Sequence, residues 1–185
     1  MSPKIAITGA KGTGKSTLIS TLSKRFTRSQ TIAFIESPGT SARREGLHLG
    51  EAGTTSTHLY FANRHIENAQ DCSSVISILD RCFVDHLAYV YLLSDDSELI
   101  TLMENVASFI LPKYEQLFIC PLHDGLPLLN ERTESEEFRR GIESEILSIA
   151  EKYRCSFTVL PPDPYGSLSV ISDYLNEELG IQDAI

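Results

Sequence analysis

Short apolar runs alternate along this chain with longer segments whose apolar residues recur every three or four positions. Five runs are apolar on both faces, which is typical of strands in a parallel sheet covered by helices. These predicted strands span residues 4–8, 31–36, 75–80, 116–120 and 155–160. The periodic segments predict helices over residues 15–26, 54–70, 83–93, 98–110, 134–153 and 167–179. This alternation predicts an α/β doubly wound domain.

Composition and charge narrow the class of protein. The 185 residues are 42% hydrophobic and 22% charged, which fits one globular domain over residues 1–185. No apolar stretch is long enough to cross a membrane, and the N-terminus is too short and polar for a signal peptide. We therefore expect a cytoplasmic protein with no membrane partner. The net charge of −9 argues against an extended nucleic-acid surface.

The segment after the first predicted strand fits G-x-x-x-x-G-K-[ST], the phosphate-binding loop (P-loop). It reads Gly9-Ala10-Lys11-Gly12-Thr13-Gly14-Lys15-Ser16. The glycines let backbone N–H groups wrap a polyphosphate, and the N-terminus of the following helix adds its dipole. Lys15 would reach the β- and γ-phosphates, and the Ser16 hydroxyl would hold Mg²⁺. The competing interpretation is a chance glycine-rich turn.

The third predicted strand ends in a carboxylate, Asp80, followed by Arg81. Ligands of such folds bind at the carboxyl ends of the strands, and P-loop proteins place an Mg²⁺-orienting Asp at this position. Arg81 suits a kinase better than an ATPase motor, because a guanidinium can bind a phosphate or a leaving-group oxygen. The alternative is a strand-end Asp bonded to backbone, with Arg81 as a surface partner.

Glu36 ends the second predicted strand, and residues 37–40, Ser-Pro-Gly-Thr, are expected to form a turn that breaks the chain. The Glu36 carboxylate could accept the proton of an attacking hydroxyl. Arg43 and Arg44 follow closely and could bind a phosphate or pair with Glu36. A solvated strand end with a basic surface turn is the competing interpretation.

A polar, charge-rich segment of about residues 123–140 precedes the long fifth helix and predicts a small lid. Arg132 is the candidate for bringing positive charge over a triphosphate. Arg139 and Arg140 lie among several glutamates, so either can simply form an ion pair at helical spacing.

Together these motifs resemble the P-loop nucleoside and nucleotide kinase superfamily. Over nearly its whole length the chain is similar to small kinase-like "AAA domain" proteins related to nicotinamide riboside kinase. Their Asp-Arg-x-x-x-Asp-x-x-Ala-Tyr pattern reads Asp80-Arg81-Cys82-Phe83-Val84-Asp85-His86-Leu87-Ala88-Tyr89 here. Their lid pattern is resembled by Asp124-Gly125 and Arg132, at a longer spacing. Thymidylate kinase motifs are resembled by Glu36-Ser37-Pro38-Gly39-Thr40 and Phe61-Ala62-Asn63-Arg64.

The resemblance implies a P-loop three-layer sandwich with a five-stranded parallel sheet in the order 2-3-1-4-5, helices on both faces and a small lid. It implies a kinase that uses ATP and Mg²⁺ to phosphorylate a nucleoside or nucleotide. Nicotinamide riboside, a deoxynucleoside and a nucleoside monophosphate such as dTMP all stay open as acceptors, and so does a homodimer. A P-loop ATPase or nucleotide switch acting on a macromolecular partner is the alternative.

The same resemblance assigns roles to individual residues. Catalytic roles fall on Lys15, Glu36, Asp80, Arg81 and Arg132. The donor phosphates would lie against Gly9, Ala10, Lys11, Gly12, Thr13, Gly14, Lys15, Ser16 and Thr17. Mg²⁺ would be organised by Ser16 and Asp80. The acceptor site would use Glu36, Arg43, Tyr60, Arg64, Arg81 and Asp85. His86 and Tyr89 are expected to pack within a helix, because they follow the apolar spacing of its neighbouring residues.

Overall fold

A parallel sheet forms the centre of the molecule. The computed structural model describes residues 2–26, 31–49, 53–70, 75–123 and 134–181. Its strands are β1 (Lys4–Thr8), β2 (Ile32–Ile35), β3 (Ile76–Asp80), β4 (Gln116–Ile119) and β5 (Phe157–Val159). They lie in the order β2-β3-β1-β4-β5, and every neighbouring pair is parallel. The predicted fold class and strand order are therefore confirmed.

The helices follow the strands as the periodicity predicted. They are α1 (Lys15–Arg25), α2 (Pro38–Arg44), α3 (Thr55–Gln70), α4 (Phe83–Leu93), α5 (Ser97–Ile110), α6 (Glu136–Lys152) and α7 (Pro164–Glu177). All six predicted helices are present, with ends that differ by a few residues. The largest difference is at α7, which begins at Pro164 because the Asp163 side chain caps it by accepting from the backbone N–H of Gly166.

Helix α2 corrects the expected turn over residues 37–40. Ser37 Oγ accepts a 3.2 Å hydrogen bond from the backbone N–H of Gly39, which makes Ser37 the N-cap of a helix. Pro38 then occupies the first helical position, where its fixed φ and missing N–H are favourable. The strand does end at this point, but the chain continues as a short helix that carries Arg43 and Arg44 in its last turn.

Two apolar clusters pack against opposite faces of the sheet. Side chains alternate along β1, so Ile5 and Ile7 face one side while Ala6 faces the other. The first side is covered mainly by α1 and α7, and the second by α3, α4, α5 and α6. Helices on both faces explain why apolar residues occur on both sides of the strands. In the described part of the chain, no helix combines the length and apolar content that crossing a bilayer requires.

Candidate active site at the carboxyl end of the sheet

The loop between β1 and α1 turns on glycines with left-handed backbone. Gly9 has φ 137°, and a Cβ there would lie only 2.4 Å from the carbonyl oxygen of Cys120. Gly14 has φ 83° and is the N-cap of α1. Because only glycine fits at Gly9, the loop can run close beside β4 and deliver its backbone to the helix N-terminus. This arrangement is suited to binding an anion.

Lys15 lies buried at the base of this loop. Its Nζ donates to the carbonyl oxygen of Ala10 and to Thr13 Oγ1, the latter at 3.0 Å. Burial, and then the positive charge of Arg81, lowers the pKa of Lys15 to about 7. Among the described residues, both of its hydrogen-bond partners are uncharged oxygens. A polyphosphate beside Lys15 would favour the charged ammonium, so the loop fits such a ligand.

Ser16 and Asp80 are the candidate metal ligands. Ser16 lies in the first turn of α1, and Asp80 ends β3 in register with Ile7 of β1. Burial raises the pKa of Asp80, while the nearby Arg81 and Lys15 oppose that shift. No cluster of His, Cys, Asp or Glu within the described ranges forms a complete metal cage. A hydroxyl and a carboxylate supply the oxygen ligands that Mg²⁺ prefers, and phosphates and waters would complete its coordination.

Arg81 adopts a backbone conformation that is rare for a side-chain-bearing residue. Its φ is 71°, and its backbone N–H donates a 3.0 Å hydrogen bond to the carbonyl oxygen of Ile7. Its Nη1 donates to Asp85 Oδ1 at 2.8 Å and to the carbonyl oxygen of Gly9 at 3.3 Å. This strained conformation therefore places a guanidinium directly against the start of the P-loop, as strain at functional sites often does.

Asp85 joins the P-loop to the start of α4. This buried carboxylate accepts from Thr8 Oγ1 at 2.6 Å and from the backbone N–H of Cys82 at 3.0 Å, in addition to Arg81. The backbone N–H of Gly9 also points at it, at 3.4 Å. The sequence placed Asp85 in the acceptor site by resemblance alone and missed this connecting role. Its position in the first turn of a helix was the available signal.

Glu36 lies beside Asp80, at the edge of the site. Ile35 is in register with Leu79, so the residues that follow them, Glu36 and Asp80, lie side by side at the carboxyl end of the sheet. The Glu36 side chain is about half exposed and forms an ion pair with Arg44. Its charge acts on Asp80 and helps to raise the pKa of that carboxyl. The structure therefore brings Glu36 near the metal-site candidate and pairs it with the neighbouring arginine.

A cavity of about 600 Å³ opens beside the P-loop. Of the predicted acceptor-site residues, Arg43, Arg81 and Asp85 line it. Tyr60 and Arg64 point elsewhere. Tyr60 donates to Glu45 at 2.9 Å, and Arg64 forms a 2.8 Å ion pair with Glu67. The structure therefore gathers only part of the predicted acceptor set around the cavity.

Tyr89 and Glu134 form a polar contact in the cavity wall. The Tyr89 hydroxyl donates to both carboxylate oxygens of Glu134, at 2.9 and 3.0 Å. The Tyr89 ring packs edge-on against Phe138 of α6, with centroids 5.8 Å apart. Tyr89 thus packs as its apolar spacing predicted, while its hydroxyl reaches a group that the spacing did not indicate.

Arg139 is the arginine of α6 that faces the P-loop. It is buried, and its Nε donates a 2.8 Å hydrogen bond to the carbonyl oxygen of Lys11. Arg140 instead forms the surface ion pair with Glu136 that helical spacing allowed. The sequence signal for Arg139 was its position on the apolar stripe of α6, three residues before Ile142. Arg132 and the residues 124–133 around it lie outside the described part of the chain.

The sequence of the chain places it in a known family. Residues 4–167 match the family described as "AAA domain", so the chain belongs to that family. A search of the curated proteins finds no match. The resemblance seen in the motifs is thereby confirmed at the level of the family.

Several solved structures share the fold. NadR in complex with NR is similar with a TM-score of 0.75 and 15% identity, over 100% of this chain and 53% of the NadR chain. This chain therefore spans about half the length of NadR. Deoxyadenosine kinase from M. mycoides, with the products dCMP and dCDP, has a TM-score of 0.66 and 16% identity, over 95% of this chain and 99% of that one.

Thymidylate kinase from Candida albicans is similar with a TM-score of 0.65 and 18% identity, over 100% of this chain and 96% of that one. At such identities the likeness defines the fold, which is that of P-loop nucleoside and nucleotide kinases.

Proposed function

We propose that this protein transfers the γ-phosphoryl group of ATP, with Mg²⁺, to a nucleoside or nucleotide. The candidate acceptors are nicotinamide riboside, a deoxynucleoside and a nucleoside monophosphate such as dTMP. One observation carries the proposal: the P-loop residue Lys11 and the strand-end Arg81 both line the same cavity of about 600 Å³. That volume is typical of small-molecule sites. A donor-phosphate loop thus adjoins a space of nucleoside size.

Different groups in and around the P-loop would bind the phosphates and the Mg²⁺ of the donor, ATP. Backbone N–H groups of the loop and the first turn of α1 would bind the phosphate oxygens, with Lys15 as the buried cation beside them. Ser16 and Asp80 would hold Mg²⁺, which would neutralise charge on the β- and γ-phosphate oxygens when bound. Catalysis of this kind depends mainly on positioning and charge stabilisation.

Two arginines supply positive charge from different elements. Arg81 contacts the carbonyl of Gly9, and Arg139 contacts the carbonyl of Lys11. Both guanidinium groups are therefore held against the loop by protein contacts, which favours electrostatic stabilisation of a transferring phosphoryl group. We assign Arg139 this role because its contact is present in the structure, and we keep Arg132 as a prediction.

The acceptor side uses Glu36 and Arg43 in two alternative ways. If the acceptor presents a hydroxyl, Glu36 would position it or accept its proton. If the acceptor presents a phosphate, Arg43 in the cavity wall would bind it, as guanidinium groups do. A cavity of small-molecule size favours either acceptor over the alternative, an ATPase or nucleotide switch acting on a macromolecular partner.

The test is ADP release from ATP and Mg²⁺ with a panel of acceptors. The panel holds the deoxynucleosides, the nucleoside monophosphates and nicotinamide riboside, and mass spectrometry identifies the product. We expect strong stimulation by one acceptor and its conversion to the phosphorylated form. Slow turnover that no acceptor changes would reject the kinase in favour of the hydrolysing switch.

Lys15→Ala links that activity to this site. We expect turnover to fall at least about 100-fold while the chain still folds cooperatively, because the Lys15 amine would bind the donor phosphates. Lys24→Ala is the matched control, since Lys24 lies exposed in the last turn of the same helix. Normal turnover by Lys15→Ala would reject the P-loop as the donor site.

A further inference from the structure

The Asp85 carboxylate already has a full set of hydrogen-bond donors. Its Oδ2 accepts from Thr8 Oγ1 at 2.6 Å and from the backbone N–H of Cys82 at 3.0 Å. Its Oδ1 accepts from Arg81 Nη1 at 2.8 Å and from the backbone N–H of Gly9 at 3.4 Å. An ionised carboxylate offers about four lone-pair positions, and these donors occupy them. Only 4% of the side chain is exposed, so a ligand would have to displace one of these donors to bind Asp85.

The two oxygens of Asp85 contact different parts of the protein. Oδ2 bonds to β1 and to Cys82, the N-cap of α4, so it joins a strand to a helix. Oδ1 bonds to Arg81 and to the first residue of the P-loop. Capping the helix requires only the contact with Cys82. The contacts of Oδ1 therefore go beyond capping and fix a charged group of the candidate active site.

Arg81 is held at one end of its guanidinium group. Nη1 donates to Asp85 Oδ1 at 2.8 Å and to the carbonyl oxygen of Gly9 at 3.3 Å. Nε and Nη2 have no hydrogen-bond partner among the described residues, and 24% of the side chain is exposed. Arg81 also lines the cavity beside the P-loop. Its remaining N–H groups can therefore bind a phosphate oxygen, for which a planar guanidinium is suited.

The backbone of Arg81 is fixed as well. Its φ is 71°, and its N–H donates a 3.0 Å hydrogen bond to the carbonyl oxygen of Ile7. This conformation is unfavourable for a residue with a side chain and persists where the surrounding contacts hold it. Asp85 supplies the side-chain contact. A guanidinium restrained in this way needs little reorganisation when charge develops on a transferring phosphoryl group.

We propose that Asp85 is a positioning residue for phosphoryl transfer, which acts by holding the Arg81 guanidinium against the start of the P-loop. Arg81 contacts the transferring phosphoryl group, and Asp85 contacts neither the donor nor the acceptor. The inference rests on the proposed function for its reaction, and it gives Asp85 a different role from the acceptor binding that the resemblance implied. The two residues then act on turnover as one unit.

The test is a double-mutant cycle on kcat, measured with ATP, Mg²⁺ and the preferred acceptor. Arg81→Gly removes the guanidinium and suits the left-handed backbone at this position. We expect it to lower kcat at least about 100-fold. Asp85→Asn should lower kcat at least about tenfold and change the KM for ATP by less than about threefold. In the Arg81→Gly background, Asp85→Asn should change kcat by no more than about twofold, because it acts through Arg81.

Asp96→Ala is the control for the loss of a helix cap. The Asp96 side chain accepts from backbone N–H groups in the first turn of α5, at 2.9 and 3.1 Å, but it is exposed and lies outside the cavity wall. Its loss should lower the stability of the protein and leave kcat within about twofold. Urea unfolding of every variant gives the folded fraction to which kcat is referred.

Chemical rescue gives a second readout that does not depend on the folding of Asp85→Asn. Millimolar guanidinium chloride should raise the turnover of Arg81→Gly at least about tenfold, because Asp85 and the Gly9 carbonyl still form a site for the cation. Sodium chloride at the same concentration controls for ionic strength and should not raise it.

The inference is overturned if Asp85→Asn leaves kcat unchanged, if the effects of the two substitutions multiply, or if guanidinium does not restore turnover. Where Asp85→Asn does not fold, the rescue decides. Where Arg81→Gly does not fold, the fall of kcat in Asp85→Asn decides.

The same cycle on ATP hydrolysis without an acceptor separates this inference from the proposed function. Coupled effects on hydrolysis, with no transfer to any acceptor, would uphold the inference and reject the kinase. Transfer to an acceptor with independent effects of the two substitutions would uphold the kinase and reject the inference.

Discussion

Arg139 Nε donates a 2.8 Å hydrogen bond to the carbonyl oxygen of Lys11, although 128 positions separate the two residues in sequence. The contact ties α6 to the tip of the P-loop. A Cβ on Gly12 would lie 3.3 Å from Nη2 of the same guanidinium, so the arginine lies in close contact with the loop. A positive charge is thereby fixed where donor phosphates are expected.

Replacing Arg139 with Ala should lower kcat for phosphoryl transfer at least about 100-fold, because the loss removes charge stabilisation in the transition state. Arg139→Lys should not restore the rate, since a single ammonium cannot hold the loop carbonyl and a phosphate as a planar guanidinium does. Steady-state kinetics with ATP and the preferred acceptor measure both variants.

Arg140→Ala is the control for that experiment. Arg140 neighbours Arg139 but is exposed and paired with Glu136, so its loss should change kcat by no more than about twofold. An equal loss of activity in both variants would show that α6 needs positive charge in general rather than the guanidinium of Arg139.

Asp85→Asn should destabilise the protein by about 2 kcal/mol. The change keeps the shape of the side chain but removes the charge that pairs with Arg81, and it leaves a buried donor or acceptor unmatched. The free energy of unfolding in urea measures the effect. Asp95→Asn, on an exposed loop, should change it by less than about 0.5 kcal/mol. Equal stability of both variants would contradict the connecting role of Asp85.

Glu36→Gln distinguishes the two kinds of acceptor. With a hydroxyl acceptor, the chemical step should slow far more than ATP affinity falls, because the carboxylate beside Asp80 acts on the acceptor. Unchanged turnover would instead favour a monophosphate acceptor, whose phosphate needs no base. Glu67→Gln, in the exposed pair with Arg64, is the control that should leave both quantities as they are. Single-turnover kinetics separate the chemical step from binding.

Acid should destabilise the fold through three buried histidines, His58, His65 and His86. Their folded-state pKa values lie below the unfolded value of 6.5, so the unfolded chain binds more protons as the pH falls. The stabilisation is complete above about pH 6.5 and is lost toward about pH 4, at roughly 1.4 kcal/mol per pH unit for each fully buried histidine. Urea unfolding between about pH 5 and 7 measures how steeply the free energy of unfolding changes with pH. His65→Phe should make this dependence shallower. An unchanged dependence would contradict the role of His65 in acid destabilisation.

Most strands and helices could be predicted from the sequence, because they depend on local patterns of apolar and polar residues. Apolar runs and three-to-four-residue spacing located the strands and the six longer helices. Helix α2 was missed because Ser37 followed by Pro38 indicates a turn as readily as a helix N-terminus. Seven residues are also too few to show a periodicity.

The site was harder to predict where function depends on contacts between distant segments. Arg139 has glutamates at helical spacing, and nothing local distinguishes an ion pair from a contact with Lys11. The histidines occupy two helices, and only packing places His86 against His58 and His65. Resemblance assigned Tyr60 and Arg64 to the acceptor site, yet in this chain those side chains bind glutamates outside the cavity wall.

Asp85 and His86 are consecutive residues, and their roles differ. Both line the cavity from the same turn of α4, and Asp85 also holds the start of the P-loop. Their Cα atoms are about 3.8 Å apart, as in any trans peptide. The first turn of α4 therefore belongs both to the P-loop contact and to the cavity wall. A shift of that turn would move both together.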